Sequence, residues 1–191
     1  TRRHDDDLMP AVARACARAR IRASGLGGVA VSVGPGGYTA VRLAVTVARM
    51  IAEAGGSACL PVPTAAAVAL RRQKPEEPAA IALASKGETA IVTVVGVGGP
   101  PEPGLVDAAG LEALHGLGVR RLVVDQFVPG AIRSRAESLG WAIERPVFDP
   151  VACLEASVGV EAVDPLDLAP IYPREPEAVT KWRALHGGGD R

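Results

Sequence analysis

The sequence predicts an α/β protein, and three observations carry this prediction. Apolar residues make up 48% of the 191 residues, which is enough for a sizeable core. Aromatic residues are only 3%, so the core has to be built from small and branched aliphatic side chains, through which helices and sheets approach closely. Helical spacing and short apolar runs alternate over residues 1–72, which is typical of helices layered on a largely parallel sheet.

The first predicted element is a helix over residues 1–21. Acidic residues crowd its start and arginines its end, as the helix dipole favours. Because Pro10 lacks an amide donor, the regular helix is expected to begin near Leu8. The apolar stripe of this helix consists of Leu8, Val12, Ala15, Cys16 and Ala19.

Strands and helices then alternate. The predicted elements are a strand at 29–33, a helix at 39–53, a strand at 57–62 and a helix at 64–72. Thr39 and Thr64 are the expected N-caps of the two helices, and the glycines at 55 and 56 end the first of them. Residues 73–78 (QKPEEP) are polar and rich in proline, so we predict a lobe boundary there.

A hairpin opens the second half of the chain. Two β-branched runs, at 79–84 and 89–97, flank a short turn that contains Gly87. After a loop at 98–103, the predicted elements are a helix at 109–117, a strand at 121–125, a helix at 129–139 and a helix at 149–160. We therefore predict a first lobe over 1–77, a second α/β lobe over 78–172 and a C-terminal tail over 173–191.

Charge and cysteine content restrict the function. Lysine plus arginine equals aspartate plus glutamate at 21 each, so no overall basic field favours nucleic acid, and any RNA contact is expected to be local or shared with another protein. No apolar run reaches the ~20 residues that span a bilayer and no signal segment opens the sequence, which favours a cytoplasmic location. The three scattered cysteines are predicted to be small buried apolar residues.

Catalytic and metal-binding motifs are not found in the sequence. The three histidines, His4, His115 and His186, are isolated from one another, without the spacing of a helical metal site. Ser32 stands before a glycine-rich corner but outside the GxSxG pattern of a serine nucleophile. We therefore predict no catalytic residue and no metal ligand in this chain.

The stretch SVGPGGYTAVR, residues 32–42, is the most distinctive motif. A glycine loop followed directly by a helix start offers backbone amide donors to an anion, although the spacing matches neither a P-loop nor GxGxxG. Contact with an anion or nucleotide and a purely structural tight turn both remain open interpretations. The residues concerned are Gly34, Pro35, Gly36, Gly37, Thr39 and Arg42. Arg42 would meet an anion or a neighbouring acid, and Tyr38 would either pack or face a partner.

The helix that follows this corner is apolar over more than half of its circumference. Its polar side chains form one narrow stripe, Arg42, Thr46, Arg49 and Glu53, and apolar residues cover the rest. Such a helix needs burial on two sides. One side is the sheet, and the other is either the first helix or a partner protein; the pattern alone does not separate the two.

Three stretches of the sequence resemble the TsaB (YeaZ) family of the glycoprotease-like (M22 peptidase homologue) superfamily, and they occur in the same order along the chain as in the family. GVAVSVGPGGYTAVRLAVTVARMIAEA, at 28–54, is similar to the family's strand, Gly-Pro-Gly-aromatic-Thr-x-x-Arg corner and helix. RHDDDLMP, at 3–10, is similar to its Arg-x-His helix start. LAPIYPR, at 168–174 and followed by Lys181, is similar to its C-terminal Pro-x-Tyr-x-Arg segment.

The resemblance implies a function as well as a fold. It implies an actin-like (ASKHA, ribonuclease H-like) fold of two small lobes and a non-catalytic subunit that activates a TsaD transferase in the threonylcarbamoylation of tRNA adenosine 37. TsaE, an ATPase, would complete the complex, and tRNA would be met only through it. No cofactor is expected on this chain alone, whereas ATP or ADP would belong at the interface with TsaD.

Members of the family pair through their first two helices, with TsaD or with themselves. The partner-binding residues implied here are Leu8, Val12, Cys16, Tyr38, Ala44, Val47, Ala48 and Ile51. Relative to the family pattern, the N-terminal strand hairpin with its Asp-Thr-Ser motif is missing from this chain. The alternatives are an M22-like or sugar-kinase-like enzyme of the superfamily, and a divergent homodimeric protein outside the pathway.

Overall fold

A computed structural model describes residues 8–98, 101–171 and 182, with the backbone alone at 84–86. The predicted features at 1–7 and 172–181 lie outside the described residues. Two sheets organise the described chain. The strands are β1 (Gly28–Gly34), β2 (Ala58–Pro63), β3 (Ala79–Lys86), β4 (Thr89–Val95), β5 (Pro103–Val106), β6 (Arg121–Val124) and β7 (Ala142–Glu144).

The smaller sheet pairs β1 with β2 in parallel, and the larger has the order β5-β4-β3-β6-β7. β3 and β4 form the predicted antiparallel hairpin, with Gly87 at positive φ in its turn. β6 and β7 continue the larger sheet in parallel from β3. A mixed α/β protein is thereby confirmed, although only part of the larger sheet is parallel.

Six α-helices lie within the described residues. They are α1 (Leu8–Ala19), α2 (Tyr38–Gly55), α3 (Thr64–Ala69), α4 (Leu111–Gly116), α5 (Gly130–Ser138) and α6 (Pro150–Ala156). Gly56 ends α2 in the left-handed conformation, as the paired glycines predicted. The prediction for α3 was too long, because the helix already ends at residue 69 and residues 70–73 form a turn.

Both threonine N-cap predictions were wrong. Gly37 caps α2 and Pro63 caps α3, neither with a side-chain hydrogen bond. Thr39 lies inside the first turn of α2, exposed to solvent. Thr64 is the first residue of α3, and its hydroxyl is used in a contact with β1 described below.

Each sheet has its own apolar packing. On the larger sheet, α4 and α5 cover a cluster centred on Leu122, Val124 and Ile132, each fully buried. On the smaller sheet, β1 alternates: Val31 and Val33 pack with α2, whereas Ala30 packs with α3 and α6 on the opposite face. α2 and α6 therefore cover opposite faces of β1.

Residues 150–171, expected in the second lobe, pack on the smaller sheet. α6 contacts both α3 and β1. Val163 forms an antiparallel bridge with Cys59 of β2, and the Ile171 amide donates to the Val33 carbonyl at 2.7 Å. Leu168, 1% exposed, enters the cluster on the α2 side. The end of the described chain thus completes the core of its beginning.

The proposed boundary segment 73–78 is held by charged side chains. Arg72 donates to the backbone carbonyls of Pro75 and Glu77. Arg121 bridges the carboxylates of Glu77, at 2.9 Å, and Glu144, at 2.5 Å. The hydrogen bond to Glu77 is the main cause that raises the pKa of the Arg121 guanidinium. The pKa of Glu77 is in turn lowered by its hydrogen bonds from Lys74, first, and from Arg121. A segment that resembles a linker is therefore tied to the larger sheet.

The cysteines are unpaired, and Cys59 is fully buried while Cys16 and Cys153 are half-buried. Burial raises the pKa of the Cys59 and Cys153 thiols. Within the described ranges, no three His, Cys, Asp or Glu side chains converge as a metal site would require. None of the helices described there has the length and apolarity needed to cross a membrane.

Candidate functional site

The glycine corner begins where β1 ends. Gly34 has φ of +108°, a conformation that L side chains rarely adopt, and a Cβ placed there would lie 3.2 Å from the Ile171 carbonyl oxygen. The Gly34–Pro35 peptide is cis. At Gly36, a Cβ would lie 3.0 Å from a methyl group of Val41. Gly34 is therefore required by the turn, and Gly36 is closely packed against Val41, which supports the structural interpretation of the motif.

Tyr38 and Arg42 form a pair on the first turn of α2. Nη1 of Arg42 donates to the Tyr38 hydroxyl at 2.6 Å, and the guanidinium carbon lies 5.0 Å from the ring centre. Tyr38 is nevertheless 62% exposed. The sequence left two partners possible for Arg42, an anion or a neighbouring acid. In the structure its guanidinium instead contacts the aromatic ring of Tyr38.

Beside the corner lies a cleft of about 910 Å³, within the range of small-molecule sites. Its walls combine the corner and the first turns of α2 with residues that follow the carboxyl ends of β6 and β7. The lining residues are Ser32, Pro35, Gly36, Gly37, Tyr38, Ala40, Val41, Ala44, Thr64, Leu83, Val124, Asp125, Gln126, Phe127, Arg133, Arg145, Pro146 and Phe148.

Few polar groups converge in this cleft. The hydroxyls of Ser32 and Thr64 are hydrogen-bonded to each other at 2.6 Å, which links β1 to α3. Asp125 supplies the single carboxylate among the described lining residues, and the cations there are Arg133 and Arg145. General acid–base catalysis usually relies on histidine, paired carboxylates or lysine. This lining offers one carboxylate without such a companion.

The sequence did not predict the distal wall of the cleft. Asp125, Phe127, Arg145 and Phe148 come from two loops that are far apart in sequence. The available signal was their position just after short apolar strands, because the carboxyl ends of parallel strands meet at one edge of a sheet. Both phenylalanines are exposed, by 71% and 63%.

The predicted partner-binding residues are distributed over α1 and α2. Leu8, Val12 and Cys16 lie half-buried on α1, which has no fully buried residue. On α2, the predicted residues Ala44, Val47 and Ile51 are likewise half-buried. The next apolar side chain on this side of the helix, Met50, is 61% exposed.

Ala48 differs from the expectation. It is 3% exposed and belongs to the same cluster as Val31 and Val45, so it packs on the sheet and is not available to a partner. The buried residues of α2 are Val45, Ala48 and Ala52, and at about 100° per residue Ile51 and Val47 lie roughly 90° and 130° around the helix from the centre of this buried side.

Solved structures share this arrangement of sheets and helices. A Pseudomonas aeruginosa protein described as similar to the peptidase YeaZ superposes with a TM-score of 0.67 at 19% identity, over 91% of this chain and 85% of its own. YeaZ from Pseudomonas aeruginosa gives a TM-score of 0.66, also at 19% identity, over 88% of this chain and 84% of its own. A search of curated protein sequences finds no significant match.

The fold is accordingly the actin-like (ASKHA-type) α/β fold of the YeaZ proteins. The model of the family "TsaD: tRNA N6-adenosine threonylcarbamoyltransferase" matches residues 1–100, more than half of the sequence. The chain belongs to this family. The resemblance to TsaB (YeaZ) that its motifs indicated is thereby confirmed.

Proposed function

We propose that this chain is a non-catalytic, TsaB-like subunit that binds and activates a TsaD-type transferase for the threonylcarbamoylation of tRNA adenosine 37. The family match supports a place in this tRNA modification pathway. The observation that carries the docking role is the outer side of α1 and α2. There, apolar side chains remain half-buried or exposed although the helices are well formed.

The proposed docking surface is the outer α1–α2 surface, defined by Leu8, Val12, Cys16, Val47 and Ile51. Apolar helix sides that the rest of the chain leaves incompletely covered are typical of protein interaction sites. Covering it with a second pair of helices would remove apolar area from water at about 25 cal/mol per Å². The same surface is proposed to pair with a second copy when the transferase is absent.

The absence of catalysis is proposed from the chemistry of the cleft. Among its described lining residues, Asp125 is the one carboxylate, and no histidine, cysteine or lysine joins it. The Arg42 guanidinium is engaged by Tyr38. We therefore propose that the isolated chain binds no nucleotide. An adenine nucleotide would bind only where the transferase completes the site, and a TsaE-type ATPase and tRNA would join through the complex.

Co-elution of this chain with a TsaD-type transferase on a sizing column tests the docking role. Val47→Glu is expected to abolish co-elution, because it places a charge on the outer apolar side of α2. Thr46→Glu is the matched control, since Thr46 is the adjacent residue and exposed on the polar stripe. Absence of co-elution for the unmodified chain, or equal loss with both variants, contradicts the proposal.

The modification itself provides the second readout. Transferase activity on tRNA is expected to depend on this chain and to fall with Val47→Glu but not with Thr46→Glu. Calorimetric titration of the isolated chain with ATP is expected to give no heat of binding. Activity of this chain on a peptide or sugar without the transferase would instead favour an enzyme of the superfamily.

A further inference from the structure

The first part of the described chain carries all of its charge on arginines. Between residues 8 and 52 the sequence has six arginines and no lysine, aspartate or glutamate, although the chain as a whole has no net charge. Such a separation of charge along a sequence is typical of proteins that bind nucleic acid or another polyanion. Four of the six arginines, Arg14, Arg18, Arg20 and Arg22, lie on α1 or directly after it. We call these four residues the α1 arginines.

The α1 arginines have no acidic partner in the part of the chain that the structure describes. All four are exposed, and no carboxylate described there lies within ion-pair distance of their guanidinium groups. Arg71 and Arg121, by contrast, are both bonded to carboxylates. A guanidinium group has five N–H donors and no acceptor. Those of the α1 arginines are therefore accessible to an external anion.

The helix dipole accounts for only part of this cluster. Cations are favoured in the last turn of a helix, which includes Arg18 and adjoins Arg20. Arg14 lies in the middle of α1, and Arg22 follows the end of the helix. Arg20 has φ of 56°, in the left-handed region where glycine usually ends a helix and other L residues are strained. An arginine at this position is thus less favourable for the backbone than glycine, which points to a use of its side chain.

Arg14 and Arg18 lie away from the apolar stripe of α1. The half-buried residues of this helix are Leu8, Val12 and Cys16. At about 100° per residue, Arg14 and Arg18 lie roughly 160° and 120° around the helix from the centre of that stripe. Docking of a partner on the outer α1–α2 surface therefore leaves these two guanidinium groups exposed.

We propose that the α1 arginines bind the sugar-phosphate backbone of tRNA within the complex with the transferase. The inference rests on the proposed function, because the family match makes tRNA the polyanion that this chain would meet. Arginine binds phosphate through two parallel N–H donors and stays charged at physiological pH. An acidic protein surface is a poorer candidate, since Arg14 and Arg18 face away from the docking surface. Contacts of this kind position a nucleic acid without reading its sequence.

The test measures tRNA binding by the complex of this chain with a TsaD-type transferase, by fluorescence anisotropy between about 50 and about 200 mM salt. The double variant Arg14→Gln/Arg18→Gln removes two charges and retains helix propensity. It is expected to weaken tRNA binding about tenfold at about 100 mM salt, and to reduce the slope of log K against log salt by about two. Its co-elution with the transferase is expected to be unchanged.

Arg120→Gln/Arg135→Gln is the matched control. It removes the same charge from two arginines that donate to a nearby carbonyl and a nearby hydroxyl group. The control is expected to change the tRNA affinity by less than about twofold. The loss in the α1 variant is expected to be equal for tRNAs with and without the target adenosine, because phosphate contacts are independent of sequence. Equal losses in the two double variants, or an unchanged salt slope in the α1 variant, overturn the proposal.

The failure of this inference is distinguishable from that of the proposed function. If the unmodified chain does not co-elute with the transferase, the proposed function is contradicted and the isolated chain decides the inference. Salt-sensitive tRNA binding at about 50 mM salt that the α1 variant loses supports it, whereas no binding, or equal binding by both chains, overturns it. Co-elution lost in the α1 variant, with unchanged tRNA binding by the isolated chain, indicates an acidic protein partner and also overturns it.

Discussion

Replacing Gly34 by alanine tests whether the glycine corner is required for its geometry. The substitution forces an L residue into φ of +108°, a sparsely populated conformation that costs roughly 1–3 kcal/mol. The new methyl group would lie 3.2 Å from the Ile171 carbonyl oxygen, so the segment that crosses the corner has to shift. That shift weakens the hydrogen bond from Ile171 to Val33, worth about 1 kcal/mol.

The reduced freedom of the unfolded chain offsets about 0.4–1 kcal/mol of this loss. The net expectation is a free energy of unfolding lower by about 2 kcal/mol. Gly37→Ala is the matched control, since Gly37 has φ of −58° and a Cβ there would meet no atom within 4 Å. This control is expected to change the free energy of unfolding by less than about 1 kcal/mol, the range of N-cap effects.

Urea unfolding followed by circular dichroism measures both variants, with the slope m compared to exclude changes in the unfolded state. Equal losses in the two variants would contradict the reasoning, because Gly34, unlike Gly37, combines positive φ with a close backbone neighbour. An unchanged transition midpoint for Gly34→Ala would also refute it.

Three further predictions concern polar contacts. Arg121→Met is expected to lower the free energy of unfolding by about 3 kcal/mol in urea titrations, because Glu144, 6% exposed, loses its cationic partner. Arg71 lowers the pKa of Asp149, so the resulting stability is complete above the ordinary value of 3.8 and is lost as pH falls through the folded-state pKa. Thermal melts below about pH 5 should therefore decline less steeply in Arg71→Met than in the unmodified chain. Thr64→Val is expected to lower the free energy of unfolding by about 1 kcal/mol in chemical unfolding, since it breaks the hydrogen bond between the Ser32 and Thr64 hydroxyls. An unchanged free energy of unfolding would show that this hydrogen bond does not stabilise the fold.

The sequence predicted the elements that combine a clear period with strong end signals. The helix after the corner is the best case, because a long apolar pattern and a pair of glycines define it. β6 was also predictable, because the apolar residues Leu122, Val123 and Val124 stand together between turn residues.

Two strands escaped prediction for physical reasons. β5 contains Pro103 and Gly104, both poor strand formers, and its strand conformation depends on pairing with β4 at the sheet edge. β7 has three residues, Ala142–Glu144, too few for a period to be detected. In both cases tertiary pairing, rather than local preference, determines the structure.

The candidate site was likewise predictable only in part. The corner and the outer side of α2 follow from local sequence, whereas the distal wall of the cleft assembles loops from residues 125–148 that no local pattern brings together. The ion network around Arg121 was hidden for a related reason. Its partner Glu77 lies in a stretch whose composition is typical of a linker.

The closing of the smaller sheet by the last described residues affects the order of folding during synthesis. Leu168 and Ile171 complete packing and hydrogen bonding around Val33, in a sheet whose strands end by Pro63. More than a hundred further residues therefore have to be synthesised after β2 before Leu168 can complete the core of this sheet. Residues 79–144, which contain every strand of the larger sheet, can form their contacts first, although they come second in sequence. We therefore expect the larger sheet to pair before the smaller sheet has its complete core.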